Sequence, residues 1–149
     1  MIRDATKEDI PAMVALGRLM HKESIFAKYE FDEAKVAELM STLICVDAGI
    51  LIVFEEDYEI QGGIMASLHQ QWFGSDIQAT DYALFLAPEH RGNRTALQLI
   101  KAYVKQAQEK GAKQIILANS TGVKTERVAA LFEKMGFVKR GYVFEWDDK

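Results

Sequence analysis

Three apolar runs, Ile50 to Glu55, Ile60 to Leu68 and Ala79 to Ala87, follow one another with only polar connections between them. Connections of this length do not provide the crossover of a dozen or more residues that parallel neighbours need, so the three runs are read as an antiparallel meander. Glu56-Asp57-Tyr58 is the polar turn of its first hairpin, and Gly62-Gly63 marks a bulge or a close backbone approach. The second connection holds Trp72, Gly74 and Asp76. Pro88 ends the third run, because proline cannot donate to a strand ladder.

The flanking segments switch to helical spacing. Thr6 or Asp9 can cap a helix in which Ile10, Met13, Val14, Gly17 and Met20 recur, and Pro11 in its first turn is tolerated there. His21 to Phe31 has aromatic residues without periodicity and reads as a loop or short helix, after which Asp32 caps a helix carried by Val36, Leu39, Met40 and Leu43. Beyond the meander, Ala96, Leu99, Ile100, Tyr103, Val104 and Ala107 line one face of a helix that Gly111 stops. Ile115 to Ala118 has strand length, Val128, Leu131, Phe132 and Met135 form a further helical stripe, and Gly136 closes it. Phe137-Val138 and Tyr142 to Trp146 alternate like an edge strand or a returning hairpin. With a short strand at Ile2 to Asp4, the order is β-α-α-β-β-β-α-β-α-β. This is an α+β class, a mixed, mostly antiparallel central sheet flanked by helices, read as one domain over residues 1–149.

Composition narrows the function. Hydrophobic residues at 49% and charged residues at 27% are those of a globular chain and exclude a disordered tail. A lone cysteine, Cys45, excludes intrachain disulfides and suits a reducing, cytoplasmic compartment. His21, His69 and His90 have no ligand spacing, so no metal is expected. The charged N-terminus lacks a secretory apolar run, and no window reaches a membrane span, which sets membranes aside. A net charge of −4 argues against nucleic acid as partner and mildly favours a cationic one. The acidic turn of Glu55, Glu56, Asp57 and Glu59 is either a solvated face or an attractor for a polyamine or basic peptide.

The junction Leu84-Phe85-Leu86-Ala87-Pro88-Glu89-His90-Arg91-Gly92-Asn93-Arg94-Thr95-Ala96 runs from strand through a basic turn into a helix. A helix N-terminus leaves amide N–H groups unpaired and carries about half a positive charge, so a small-residue turn before it can hold phosphate. Arg91 and Arg94 add cations at the same place. The other reading is an ordinary solvated connection. No Gly-Lys-Ser/Thr follows, so this is not a P-loop, and the three-glycine dinucleotide fingerprint is absent.

Arg91-Gly92-Asn93-Arg94-Thr95-Ala96 resembles the coenzyme-A turn, Arg/Gln-x-x-Gly-x-Gly/Ala, of the Gcn5-related N-acetyltransferase (GNAT) family. Five other stretches agree in order: Ile2-Arg3-Asp4-Ala5-Thr6 with Asp9-Ile10, the hairpin, Phe85-Leu86-Ala87-Pro88, the strand ending at Asn119, and Leu131-Phe132-Glu133-Lys134-Met135-Gly136-Phe137. The last is similar to the family's "L-Y-E-K-L-G-F" helix end, and the resemblance covers nearly the whole chain.

The resemblance implies acetyl transfer from acetyl-CoA, as cosubstrate, to a primary amine of a small molecule or protein, by direct attack in a ternary complex. It places the pyrophosphate on the amides of Gly92, Asn93, Arg94, Thr95 and Ala96 and the pantetheine along Phe85, Leu86 and Ala87. The thioester lies in the gap between splayed parallel strands, Ala79–Ala87 and Ile115–Ala118. A base must take the amine's proton, since an alkylamine is mostly protonated at neutral pH. Two departures stand out. Arg94 occupies the position of a family glycine, where its guanidinium can grip a CoA phosphate. Phe132 stands where many members have the tyrosine that protonates the thiolate; a thiol pKa near 8.5 lets the thiolate leave without it. Phe132 motivates the alternative of a non-catalytic acyl-CoA-binding or regulatory module.

Candidate residues each carry a second reading. Asp81 is a base or a solvated strand carboxylate, and strict alternation puts it on one face with Ala83, Phe85 and Ala87, opposite Tyr82, Leu84 and Leu86. Asn119 and Ser120 bind cofactor or acceptor, or serve a turn. His69 is a base or an exposed histidine, and His90, beside Arg91, is assigned to packing or phosphate contact. Tyr142 can replace the missing acid if the C-terminal strand folds back, or is an ordinary strand tyrosine. Phe26, Tyr29 and Phe31 sit where the family closes its acceptor pocket, or belong to the core. A homodimer through the C-terminal strand is a further expectation.

Overall fold

A computed structural model describes residues 1–148. The chain runs β1 (Ile2–Asp4), α1 (Ile10–Glu23), α2 (Glu33–Cys45), β2 (Gly49–Glu56), β3 (Glu59–Gln70), β4 (Ile77–Leu86), α3 (Thr95–Glu109), β5 (Ala112–Ile116) and α4 (Thr125–Lys134), with 3-10 turns at Lys7–Asp9, Ile25–Lys28 and Pro88–His90. The strands form one sheet in the order β1-β2-β3-β4-β5. Neighbours are antiparallel from β1 to β4, and β5 joins β4 in parallel through the crossover helix α3. The expected mixed, mostly antiparallel sheet flanked by helices is therefore observed.

Local chemistry sets the element ends. Asp9 precedes α1, its carboxylate accepts from the Thr6 amide and forms an ion pair with Arg3 Nη1 at 2.8 Å, and Arg3 also reaches Glu55. Asp32 Oδ1 accepts from the Lys35 amide and starts α2. Asp57 and Tyr58 have φ of 52° and 64°, the left-handed pair that a two-residue hairpin turn uses to match strand twist.

Alternation splits the core into two. Leu51, Val53, Met65 and Phe85 face α1 and α2, where they pack with Met13, Val14, Met40 and Leu43. Ile50, Ile52, Phe54 and Ile64 face α3 and pack with Leu99, Tyr103 and Ala107. Gly63 shows why the β3 glycines are there: a Cβ on it would lie 2.9 Å from Met13 Cε and 3.1 Å from the Ile52 carbonyl oxygen. The pairing also slips nearby, from Phe54↔Gly62 to Glu55↔Ile60, so both expectations for the Gly62-Gly63 stretch are met.

β4 carries a second irregularity. Met65 pairs with Ala83 but Ala66 pairs with Asp81, so Tyr82 is the extra residue of a β-bulge. The bulge corrects the alternation read from sequence. Ala83 and Phe85 pack toward α1 and α2, whereas Ala79 packs toward α3. Asp81, two residues from Ala79, thus shares the α3 side and not the face of Ala83 and Phe85.

The sixth strand expected near the C-terminus is absent among the described residues, so the observed order ends at α4. A period of two fixes which face a strand would show, but supplies no edge to pair with. The segment is held by side chains instead: Tyr29 Oη donates to Glu145 Oε1 at 3.2 Å, and Lys28 Nζ lies 3.7 Å from the same oxygen. Val138, Tyr142, Val143, Phe144 and Trp146 remain 65–89% exposed. The accessible surface, 9863 Å², accordingly exceeds the roughly 7,600 Å² expected of a compact chain of this mass. No helix among the described residues is long and apolar enough to cross a membrane.

Candidate active site

β4 and β5 pair only from Ile77↔Ala112 to Thr80↔Ile116. Beyond Thr80, β4 continues to Leu86 with β3 on one side and an open edge on the other. The Ala87 amide bonds to the Gln61 carbonyl, which fixes Gly63 and Phe85 as the hydrogen-bonded type of pair. Leu84 and Leu86 then turn their N–H and C=O groups away from β3, toward the gap. The Leu86 carbonyl is reached there by Arg91 Nε at 3.3 Å.

Two side chains hold β5 at the point of separation. Asp81 Oδ1 accepts from the Ala118 amide at 2.8 Å, and the buried Tyr103 of α3 donates to the Ile116 carbonyl at 2.8 Å. Burial pushes the Asp81 carboxyl up to about 6, against the lowering effect of the Ala118 hydrogen bond. Burial likewise raises the Tyr103 phenol, and the charge of Asp81 adds to it. A carboxylate titrating near 6 is better matched to accepting a proton at neutral pH than an ordinary one. Tyr82, the bulge residue, points its hydroxyl toward Ser67 Oγ at 3.3 Å.

The turn before α3 has its own internal order. Gly92 has φ of +84°, in the left-handed region that favours glycine, and a Cβ there would lie 3.2 Å from Arg127 Nη2. Asn93 Oδ1 accepts from the Thr95 amide at 2.9 Å, and its Nδ2 lies 3.2 Å from His90 Nδ1. An amide nitrogen only donates, so that bond places the ring proton on Nε2, which faces Glu56 Oε1 at 3.8 Å. His90 also packs edge-on to Phe54, and Thr95 Oγ1 lies 3.3 Å from its Nδ1. The histidine braces the turn from behind.

Arg91, Arg94 and Arg127 supply the cations. Arg91 makes a two-pronged pair with Glu23 at the end of α1, at 2.7 and 2.8 Å, which holds Glu23 below the usual carboxylate range and Arg91 above its own. Arg94 is exposed to solvent. Its φ of −77° is open to any residue, so replacing the family's glycine strains no backbone here. Arg127, on α4, was not singled out from sequence, because nothing local in Thr125 to Lys134 shows which helix face meets the turn.

The other candidates are dispersed. Asn119 Nδ2 donates to the Thr125 carbonyl at 2.9 Å and ties the loop after β5 to α4. Phe26 lines a cavity between α1, α2 and the sheet; Tyr29 does not, and is engaged with Glu145 and Lys28. His69 Nε2 lies 2.9 Å from Gln78 Oε1 on an exposed stretch. Tyr142 is exposed, with Lys139 Nζ 4.6 Å over its ring and Phe144 beside it, so its contacts lie along its own segment. Phe132 packs against Phe137 with ring centroids 6.1 Å apart and ring planes tilted by 49°.

A family model described as the acetyltransferase (GNAT) family matches residues 17–137. No curated protein matches the sequence. Among solved structures, a transcriptional regulator from Bacillus halodurans C-125 superposes with a TM-score of 0.79 at 19% identity, over 99% of this chain and 98% of that one. An aminoglycoside acetyltransferase, HMB0005, from an uncultured soil metagenomic sample gives 0.73 at 20% identity, over 100% and 98%. Glucosamine-6-phosphate N-acetyltransferase from Arabidopsis thaliana gives 0.76 at 12% identity, over 100% and 98%. At these identities the likeness is one of fold.

Proposed function

Because the chain belongs to the GNAT acetyltransferase family, we propose that it transfers acetyl from acetyl-CoA to a primary amine by direct attack in a ternary complex. The observation that carries this reading is the position of Asp81, whose carboxylate takes the Ala118 amide at the mouth of the gap between β4 and β5 and is pushed up to about 6 by burial.

The residues around the gap suit acetyl-CoA. The open Leu84 backbone and the Leu86 amide offer an extended ligand the hydrogen bonds that a further strand would use, while the Leu86 carbonyl is shared with Arg91 Nε. The turn offers amides from Gly92 to Ala96, although the Thr95 amide is already taken by Asn93. A side chain at Gly92 would fill the space that opens toward Arg127, so the cradle depends on glycine. Arg127 beside Gly92 and the exposed Arg94 of the turn would supply charge to neutralise phosphate, and Arg91 would join them on leaving Glu23.

Acetyl-CoA supplies the electrophilic thioester: the amine nitrogen forms the amide bond to its carbonyl carbon, and the CoA sulfur leaves as thiolate. Asp81 receives the amine's proton at Oδ2, since Oδ1 is committed to Ala118. Tyr103 and Asp81 together keep β5 from closing against β4, which holds the gap open. Phe132 donates no proton, so the thiolate is released to solvent, and its pKa near 8.5 allows that.

Calorimetric titration with acetyl-CoA and with CoA tests the reading first. Micromolar binding of both is expected. Absence of binding would overturn both this reading and the acyl-CoA-binding alternative and leave a fold reused as a scaffold for partner contact.

A further inference from the structure

The cavity lined by Phe26 lies on the α1 and α2 side of β4, against Ala83 and Phe85 of the strand that borders the gap. Its volume is about 170 Å³. An apolar cavity of about 150 Å³ stays dry and takes up benzene, whereas sites for whole drug-sized ligands span roughly 300–1,000 Å³. The space therefore fits one ring of a substrate and not a cofactor.

The walls are made by Met20, Met40, Met65, Phe26, Phe31 and Phe85. Thioethers and aromatic edges are the partners that an aromatic ring favours over an alkyl chain. Ser24 Oγ has no proton left for a ligand, because it donates to the His21 carbonyl, and it already accepts from the Phe26 amide. His21 is the one ionisable group of the lining, and its ring packs on Phe31 at 5.2 Å. No carboxylate lines the cavity. Of the acidic residues nearest in sequence, Glu23 pairs with Arg91, Glu33 with Arg18 and Asp32 with the Lys35 amide, while Glu30 is exposed to solvent. The cavity wall itself offers a polycationic acceptor no counter-charge.

The cavity also has a roof that ties it to the gap. The Ile25 amide donates to the Thr121 carbonyl at 2.9 Å, so the segment carrying Ser24 and Phe26 is fastened to the loop that follows β5. A group seated in the cavity thus lies on the α1 and α2 face of β4, opposite the face that Asp81 shares with Ala79, and reaches the gap beside the end of β5.

We propose that the acceptor is a primary amine bearing a single benzyl-sized apolar group, which this cavity holds while the amine faces the gap. The inference rests on the acetyltransferase reading and narrows its acceptor. Burying such a group is worth about 10- to 100-fold in specificity over an amine that lacks it.

The test compares kcat/KM for phenethylamine, ethanolamine and spermidine with acetyl-CoA, and measures phenethylamine binding to the protein by calorimetry with and without CoA. A preference for phenethylamine of at least about 10-fold is expected, with saturable binding. Gly17→Leu should abolish both while acetyl-CoA still binds, because Gly17 lines the cavity and a Cβ there meets only Phe31 Cζ at 3.7 Å. Phe26→Ala, at a partly exposed position, should lower phenethylamine kcat/KM several-fold without a folding risk. Phe-Gly-Gly as a parallel acceptor distinguishes a peptide N-terminus from a free amine. Equal or better use of ethanolamine or spermidine overturns the proposal, as does a preference for hexanoyl-CoA over acetyl-CoA, which would make the cavity an acyl site. Loss of acetyl-CoA binding overturns the acetyltransferase reading instead, and the direct phenethylamine titration then decides the cavity on its own: no saturable binding sinks it.

Discussion

Asp81 accepts the Ala118 amide at 2.8 Å across the point where β4 and β5 part, one residue beyond the last ladder contact of β4 at Thr80. A side chain thus takes the place of the next backbone partner. The bulge at Tyr82 makes this possible by turning Asp81 out of the register of Ala83 and Phe85.

Asp81→Asn should lower turnover about 10²-fold or more, with acetyl-CoA affinity unchanged. Steady-state kinetics and an acetyl-CoA titration on the same variant check this. Equal kinetics would remove Asp81 from the mechanism.

The same substitution has a stability consequence of opposite sign. The folded-state carboxyl is pushed up to about 6 from an ordinary value of 3.8, so between those values the folded protein binds more protons than the unfolded one. Stability from this group is present at low pH and falls as pH rises through that window. Asp81→Asn, which keeps an oxygen for Ala118, should flatten that slope and raise stability above pH 7 by about 1–3 kcal/mol. Denaturant melts at pH 4, 6 and 8 read it; an unchanged slope would contradict the raised carboxyl.

Tyr103→Phe removes the donor to the Ile116 carbonyl and should cost about 1–3 kcal/mol of stability. If Tyr103 positions β5, kcat should fall more than acetyl-CoA affinity. A loss of stability with kcat intact would leave it a purely structural tyrosine.

Glu23 holds Arg91 in a two-pronged pair, so on the proposed acetyl-CoA reading it would compete with phosphate for that guanidinium. Glu23→Gln should tighten CoA and acetyl-CoA by about 2- to 5-fold at low salt, an effect that fades at high salt. Arg94→Ala and Arg127→Ala should weaken both ligands alike. A CoA affinity indifferent to all three would place the phosphates elsewhere.

Much of the fold is legible because it rests on local rules. The Asp32 cap, the polar turn at Asp57 and the stop at Pro88 are each written in one or two residues. The bulge is not, because Asp81-Tyr82-Ala83 contains no glycine or proline to mark it, and only the pairing with Met65 and Ala66 reveals it. The contact of Arg127 with the turn and the hydrogen bond of Tyr103 are not legible for a related reason: each joins elements distant in sequence, although Tyr103 is recognisable as a core residue. Tyr142 illustrates the reverse error, a clean alternation that meets no partner edge.

The most direct test is release of free CoA thiol from acetyl-CoA with phenethylamine as acceptor, with the N-acetyl product quantified in the same reaction. The account predicts thiol and N-acetylamine in equal amounts, with kcat/KM rising with pH and an inflection near 6 that is absent in Asp81→Asn. Binding of acetyl-CoA without thiol release across amines, aromatic and polar alike, would contradict it and leave a binding module.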